Sequence, residues 1–394
     1  MPEQTHEYVD NILRKLETFR VDAGLTPEDV EEKLILGPGW VSSVEDKSSV
    51  PTLDVVATLL SLYGKNFSDL SEGGKSGTAK IKRCIYPESS GCDLKIHFEY
   101  GRFDAVYVLK QATVSDYNEV LSELRSGLAR LNDTLAEEED KARAIKTESV
   151  ASAFVRAAKL WPHANPSDIW CFIICRAYCD QYNHPASFSR LNFEQSWKRT
   201  SGYALEKVLE SHYGPFLRQQ GINLLIADDA RKVRLLKHMN VGGHRLEADK
   251  IDVVLSVGEG PEERMIGAVH VKASFAERRT DDVPMSHALV KGGYISPLWT
   301  MDCKSFPSSN PENLGELGKL FCGDGRDCRS AKRKDIEHDG YFSACFSYNK
   351  NTLPTPSRLQ AKAVVHVCDF SNPEDAFSSF IIRERKRVKK ELNL

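Results

Sequence analysis

Asp252, His270 and Lys272 are the residues of this chain whose types and spacing suit them to act together. Asp252 opens the apolar run Val253 to Val257, and 18 residues later Ala268-Val269-His270-Val271-Lys272-Ala273-Ser274 sets a polar residue and a lysine two positions apart. Strand side chains alternate between faces, so His270 and Lys272 share one side while Val269 and Val271 take the other. Asp252 supplies a hard oxygen for Mg²⁺, to be joined by a backbone carbonyl near residue 271, a substrate phosphate and water. Lys272 is then placed to orient an attacking water or to offset charge developing on the phosphate. The chemistry this implies is phosphodiester hydrolysis.

Two strands and a helix must position these groups. Gly258-Glu259-Gly260-Pro261 reads as the turn of a hairpin that brings Asp252 beside Lys272. A further carboxylate is expected from the segment Phe193 to Leu209. There Trp197, Ala204, Leu205, Val208 and Leu209 recur at helical spacing, Gly202 permits close approach to a neighbour, and Glu206 sits among the buried positions. Glu206 and Asp252 are therefore the expected metal ligands, and Lys272 and His270 complete the catalytic set. A neutral imidazole is a poorer Mg²⁺ ligand than a carboxylate, so His270 reads as a polar filler or phosphate contact. Asp281 and Asp282 are candidates to lie near the metal centre, with a solvated loop as the favoured reading.

Taken together, the helix Trp197 to Glu206, the strand entry Asp249-Lys250-Ile251-Asp252 and the stretch His270 to Arg279 resemble the BsaWI-like branch of the CCGG-family type II restriction endonucleases, within the PD-(D/E)XK superfamily. The resemblance covers roughly residues 150 to 390. It implies an α/β restriction-endonuclease-like catalytic domain, a Mg²⁺ cofactor and double-stranded DNA cut at a palindromic, CCGG-containing site. Cutting both strands of a palindrome takes two active sites related by two-fold symmetry, hence a homodimer. A cognate DNA methyltransferase encoded nearby is the functional partner such an enzyme needs.

In that family an acidic residue and an arginine shortly after the catalytic lysine read C·G pairs, and the matching positions are Glu277 and Arg278. A carboxylate can accept from cytosine N4, and a guanidinium can bind guanine O6 and N7 together. Arg279 and Ser274 flank them as further DNA contacts. His270 stands where an acid is usual, and Ala276 where the family has another arginine. Two other readings stay open: a transcriptional regulator with an inactive nuclease-like domain, and a nuclease specific for modified DNA.

A second recognisable unit lies at the N-terminus. Thr26 reads as a helix N-cap, with Pro27 at the first helical position and acids in the first turn. Residues 9 to 70 resemble a Cro/Xre-type helix-turn-helix domain, with residues 38 to 46 in the place of the recognition helix and Trp40, Ser42 and Ser43 as DNA contacts. Its charge argues the other way. Residues 1 to 72 hold six Lys or Arg against fourteen Asp or Glu, a net of −8 that repels phosphate. The whole chain is at −3, so the remainder carries about +5 and is the better DNA surface.

The fold class read from these patterns is multidomain. An all-α helix-turn-helix unit spans 1–72, a small α+β module of unknown role spans 73–148, and the α/β catalytic domain spans 149–394. In the middle module, Thr78 to Tyr86, Asp93 to Tyr100 and Phe103 to Lys110 alternate as strands, residues 71 to 78 read as a linker, and one long amphipathic helix is expected from Ser115 to Lys146. With 394 residues and 41% apolar content, several substantial cores are affordable. The chain has no run of about 18 uncharged apolar residues and a polar N-terminus, so neither a membrane span nor a signal peptide is expected. Ten scattered Cys without a CxxC pair suit a reducing, cytoplasmic setting. A zinc site drawn from Cys322, Cys328, His338 and Cys345 has irregular spacing. The basic groups Arg326, Arg329, Lys332, Arg333 and Lys334, and the tail Arg383 to Lys390, are candidate phosphate contacts.

Overall fold

The computed structural model describes residues 2–65, 67–70, 83–100, 103–134, 138–179, 193–241, 246–274, 279–303 and 314–391. Four helices open the chain: α1 (Pro2–Asp22), α2 (Pro27–Leu34), α3 (Trp40–Glu45) and α4 (Leu53–Leu62). They close on a core of their own that includes Leu16, Val30, Val41, Val44, Val56 and Leu59. The start of α2 follows from local chemistry. The Asp29 N–H donates to Thr26 Oγ1 at 3.1 Å while Asp29 Oδ2 accepts from the Thr26 N–H at 2.8 Å, a reciprocal cap. Part of this unit's acidity is structural. Buried Glu31 accepts from the Gly39 and Val41 N–H groups at the head of α3, at 3.0 and 2.8 Å, and Glu45 pairs with Arg20 at 2.6 Å.

Next comes an antiparallel meander of β1 (Arg83–Ser90), β2 (Asp93–Tyr100) and β3 (Phe103–Leu109). The first strand runs on to Ser90, past the Tyr86 end that its alternation suggested, and residues 71–82, which include the linker 71–78, lie outside the described residues. The single long helix expected over Ser115 to Lys146 is two. α5 (Val114–Ala129) passes through a 3₁₀ turn at Arg130–Asp133, and α6 (Glu139–Leu160) starts afresh. Asn132-Asp133-Thr134 is the local cause, since short polar side chains compete for backbone groups, and the Thr134 hydroxyl indeed bonds the Arg130 carbonyl at 3.1 Å. The helices then fold back on each other, meeting at Gly127, where a Cβ would lie 2.3 Å from Ser149 Oγ. The domain edge placed at residue 148 falls inside α6, and one core cluster runs from Leu94 and Leu124 through Phe154 to Leu205 and Val269.

The rest of the chain builds a six-stranded sheet in the order β4 (Asn223–Leu225), β5 (Val253–Val257), β6 (Arg264–Lys272), β7 (Leu298–Thr300), β8 (Cys345–Ser347) and β9 (Val365–Val367). β4, β5 and β6 are antiparallel, and β6 to β9 are parallel. The expected hairpin is present, with Val253 opposite Val269. One face of the sheet packs Val253, Leu255, Val269 and Val271 against Leu205, Val208 and Leu209 of α8 (Phe193–Gln219), with α7 (Pro166–Cys179) and α12 (Ala376–Glu391) in the same core. The other packs Val254, Met265 and Ala268 against α9 (Asp229–Leu236) and α10 (Arg279–Lys291). Burial on both faces is why β5 is apolar at every position but Ser256, whose hydroxyl donates to Glu263. α11 (Ala331–Glu337) precedes β8. Among the described residues, no helix is long and apolar enough to cross a membrane.

Candidate active site

Because β5 runs antiparallel to β6, the residue entering β5 lies beside the last residues of β6. Asp252 Oδ2 accepts the Val271 N–H at 2.9 Å and the Lys272 ammonium at 2.7 Å. The backbone contact beside Asp252 is thus an amide N–H of residue 271. Upstream, Lys232 on α9 donates to the Ile251 carbonyl at 2.6 Å, holding the entry to the strand. Lys272 Nζ also lies 3.5 Å from Asp282 Oδ2, and His270 Nδ1 lies 3.9 Å from Asp282 Oδ1. Asp252, His270 and Asp282 bring ligand atoms within 4.8 Å of one another, the one such group of three or more among the described residues. The group sits at the carboxyl end of β6, at the edge of the sheet where open α/β folds bind ligands.

Asp282, for which a solvated loop is the favoured reading of the sequence and a place near the metal centre the alternative, is 5% exposed in the first turns of α10. The signal was there in the spacing, since Asp282, Met285, Ser286 and Leu289 follow one helical face and all are buried. Glu206, the acid expected to join Asp252, is also buried at 9% exposure, on α8 beneath β6, but it is not one of the ligand atoms within 4.8 Å.

The electrostatics suit a cation. His270 is 1% exposed, and burial pulls its pKa down to about 4, with Asp252 opposing and Lys272 reinforcing the shift, so the imidazole is neutral at neutral pH. Its Nε2 bonds Ser296 Oγ at 3.0 Å, and that hydroxyl bonds Ser286 Oγ at 2.8 Å. Assigning the ring proton to Nε2 leaves the Nδ1 lone pair facing Asp282, and Nδ1 has no hydrogen-bond partner among the described residues. The Lys272 ammonium lies between two carboxylates, those of Asp252 and Asp282. Carboxylate oxygens with an available imidazole nitrogen fit a hard or borderline divalent ion.

The chain is 34% identical over 255 residues to the type II restriction enzyme AgeI of Thalassovita gelatinovora, a match spanning 62% of this chain and 86% of AgeI. The chain belongs to the type II restriction endonucleases. Its fold matches the crystal structure of AgeI in specific complex with DNA at a TM-score of 0.59 and 30% identity, covering 74% of this chain and 99% of that one. A crystal structure of BsaWI in a pre-specific DNA complex is similar at 14% identity and a TM-score of 0.33, over 67% and 93% of the two chains. No family model matches the chain. The restriction-endonuclease reading of the sequence is met, and this member carries about a quarter of its length beyond the AgeI structure.

The other expected contacts of this family member fall into three groups. Glu277 and Arg278 lie outside the described residues; Arg279 begins α10, and its side chain is likewise outside them. Ser274, two residues past Lys272, donates to Glu316 Oε1 at 2.9 Å. In the N-terminal unit, Ser42 is exposed on α3, Trp40 packs against the helical core, and the Ser43 hydroxyl returns to the Trp40 carbonyl at 2.7 Å.

The basic stretches are not the open phosphate tracks they resembled. Arg326 pairs with Asp324, Arg329 with Asp327 and Glu337, Lys332 with Glu316, Arg333 with Glu337, and Lys334 approaches Asp327. In the C-terminal tail, Arg385 bonds the Gln220 carbonyl and Arg387 the Gly293 carbonyl, which puts that end of α12 beside the turns entering β4 and β7. Those turns lie at the edge of the sheet opposite Lys272. The zinc set does not assemble: Cys322 and Cys328 pair with each other, and Cys345 is buried in β8.

Proposed function

We propose that this chain is a Mg²⁺-dependent endonuclease that cuts double-stranded DNA at a palindromic, CCGG-containing site. The observation that carries the proposal is the convergence of Asp252, Lys272 and Asp282 at one sheet edge, with paired distances of 2.7 and 3.5 Å, in a chain of the type II restriction endonucleases. AgeI and BsaWI both have structures in complex with DNA, which supports duplex DNA as the substrate here.

In this reading Asp252 and Asp282 hold the ion, and Glu206 from α8 serves as the third acid. The bound ion supplies Lewis-acid polarisation of the scissile phosphate. Lys272 then moves from neutralising the two carboxylates to holding the attacking water and offsetting charge on the phosphate. His270 stays neutral and offers Nδ1, its orientation set by Ser296. Glu277 and Arg278 read C·G pairs directly, flanked by Ser274 and Arg279. A palindromic target calls for two copies of this site, so the active species is a homodimer. A methyltransferase of matching specificity protects the host DNA. The acidic N-terminal unit is proposed as a helix-turn-helix module with Trp40, Ser42 and Ser43 nearest DNA.

Incubating the purified protein with unmethylated phage DNA, with Mg²⁺ or with EDTA, and sequencing the fragment ends tests this. Discrete Mg²⁺-dependent fragments sharing a CCGG-containing end are expected. DNA left intact under all conditions, methylated substrate included, would refute it.

A further inference from the structure

His270 is buried on β6, and both of its ring nitrogens can be followed to the atoms they face. Nε2 lies 3.0 Å from Ser296 Oγ, which lies 2.8 Å from Ser286 Oγ, and the Ser286 hydroxyl reaches the Ser296 carbonyl at 3.3 Å. Hydrogens can run along this chain in two directions. When each group donates onward from the imidazole, the Nε2–H, the Ser296 hydroxyl and the Ser286 hydroxyl all find acceptors, and the chain ends on a carbonyl. In the reverse direction the ring hydrogen sits on Nδ1, where Asp282 Oδ1 is 3.9 Å away, too far for a hydrogen bond. A buried N–H without an acceptor is costly, which assigns the hydrogen to Nε2 and a bare lone pair to Nδ1.

That lone pair has no hydrogen-bond partner among the described residues, and it lies within 4.8 Å of a carboxylate oxygen from each of Asp252 and Asp282. Asp282 divides its oxygens, Oδ1 toward His270 and Oδ2 toward Lys272 at 3.5 Å. The ring is held in this orientation from two further sides. Phe342 stands edge-on to it, with 5.5 Å between ring centroids. Ser296 is itself fixed, its N–H donating to Ser343 Oγ at 3.0 Å and its carbonyl accepting the Ser343 N–H at 2.9 Å. An imidazole anchored through one nitrogen, with the other bare toward two carboxylates, is how proteins present histidine to a metal ion.

We propose that His270 Nδ1 is a ligand of the ion held by Asp252 and Asp282, and that this nitrogen makes the centre prefer Mn²⁺ or Co²⁺ to Mg²⁺. The inference rests on the metal-dependent reading above and names which ions that site favours. Mg²⁺ takes oxygen donors and gives up water reluctantly, whereas imidazole suits first-row transition ions. An acid at this position of the strand would add another oxygen; histidine puts a neutral, borderline donor in its place. Mg²⁺ still binds through the carboxylates, more weakly. Ser296 acts through His270 as a positioning residue, fixing which nitrogen is bare and where it points.

The test titrates full-length protein, without DNA, with Mn²⁺, Co²⁺ and Mg²⁺ by calorimetry and examines the bound Mn²⁺ by pulsed EPR. The parent should bind Mn²⁺ and Co²⁺ more tightly than Mg²⁺, and its Mn²⁺ should show the magnetic coupling of a directly bound imidazole nitrogen. His270→Gln should lose that coupling. His270→Asp, which supplies an oxygen donor instead, should lose it too and move the preference back toward Mg²⁺. Ser296→Ala should keep the coupling and weaken Mn²⁺ binding by about 10- to 100-fold, the usual effect of removing a group that orients a ligating histidine. Mn²⁺ bound to the parent without nitrogen coupling overturns the proposal, and that measurement needs no variant to fold. Coupling that persists in His270→Gln, or an ion preference unchanged in His270→Asp, overturns it as well. A parent that binds no divalent ion removes the metal-site reading and this inference together, whereas binding that Asp282→Ala abolishes and His270→Gln leaves untouched removes this inference alone. None of these readouts is cleavage, so a protein that binds ions in this way and cuts no DNA loses the endonuclease reading and keeps the nitrogen ligand.

Discussion

Two clusters of buried charge in this molecule look alike in composition and differ in consequence. Around α11, Arg333 and Glu337 are both 0% exposed and paired four residues apart at 2.9 Å, with Arg329 on the other Glu337 oxygen at 3.2 Å and the Thr355 hydroxyl on Oε1 at 2.6 Å. Every charge there has its opposite within reach, and the partners come mostly from one short stretch of chain. At the carboxyl end of β6, two carboxylates, a neutral imidazole and one ammonium meet across 30 residues and three elements. Charge density marks neither cluster as functional; what sets the second apart is that long-range packing brings two carboxylates and an imidazole nitrogen within 4.8 Å of one another.

The sharpest break of the comparison is at the catalytic edge. Lys272→Ala, Asp252→Ala and Asp282→Ala should each lower the cleavage rate by at least about 10²-fold, the usual scale for losing one preorganised electrostatic group, while leaving the fold intact. Single-turnover cleavage of a defined duplex measures this, and normal cutting by Asp282→Ala would return Glu206 to the role of second acid. In the α11 cluster the opposite pattern is expected. Glu337→Ala strands the buried Arg333 guanidinium and should cost about 3–5 kcal/mol of stability in denaturant titration. Activity measured well below its unfolding midpoint should stay near that of the parent, because the cluster takes no part in the chemistry.

Metal sharpens the contrast further. Mg²⁺ or Mn²⁺ should raise Tm by mass action on the acid-rich site, and Asp282→Asn, which removes one of its two carboxylates, should abolish that rise. Glu337→Gln should leave the metal-induced rise unchanged. A metal-induced shift that survives in Asp282→Asn would remove Asp282 from the ligand set.

The smallest expected effect is on the pH dependence of stability. Burial raises the Asp302 carboxyl to about 6, opposed by the Thr352, Leu317 and Glu316 hydrogen bonds. The folded state therefore binds more protons there than the unfolded one, and Asp302 makes the protein less stable as pH rises from about 4 to 6. His212 has the reverse sign. Burial, aided by Lys159 and opposed by Asp369, lowers it to about 4, so its contribution is lost as pH falls from about 6.5 towards 4. The two slopes oppose each other over the same window. Asp302→Asn should make stability rise more steeply with pH there, and His212→Gln should make it rise less; thermal melts from pH 4 to 7 would show both, and parallel curves would refute the assignments.

Much of this architecture was legible because it rests on short-range rules. The Thr26-Pro27-Glu28-Asp29 cap, the β5–β6 hairpin and the pairing of the three middle strands follow from residues within a few positions of one another. The Asp252–Lys272 pair came with the hairpin, as strand alternation and a tight turn bring those two residues to one edge. Asp282 was harder to find. The residues just before it are polar, and its burial depends on α10 docking against the face of β6 that carries Met265 and Ala268. The break between α5 and α6 was hidden by an uninterrupted apolar stripe, and only the Asn132-Asp133-Thr134 stretch betrayed it.

The sequence by itself thus determined the Thr26 cap, the β5–β6 hairpin, the family, and three of the residues at the candidate centre, Asp252, His270 and Lys272. Only the tertiary structure decided which acid stands beside Asp252 and Lys272, that the basic stretches are mostly answered by their own carboxylates or point to the far edge of the sheet, and that Asp302 meets a turn fourteen residues away. The physical reason is the range of the forces. Propensity, capping and alternation act within a few residues and leave a trace in the order of amino acids. Charge compensation acts through space, so its partners are set by how helices and strands pack, and no linear spacing records them.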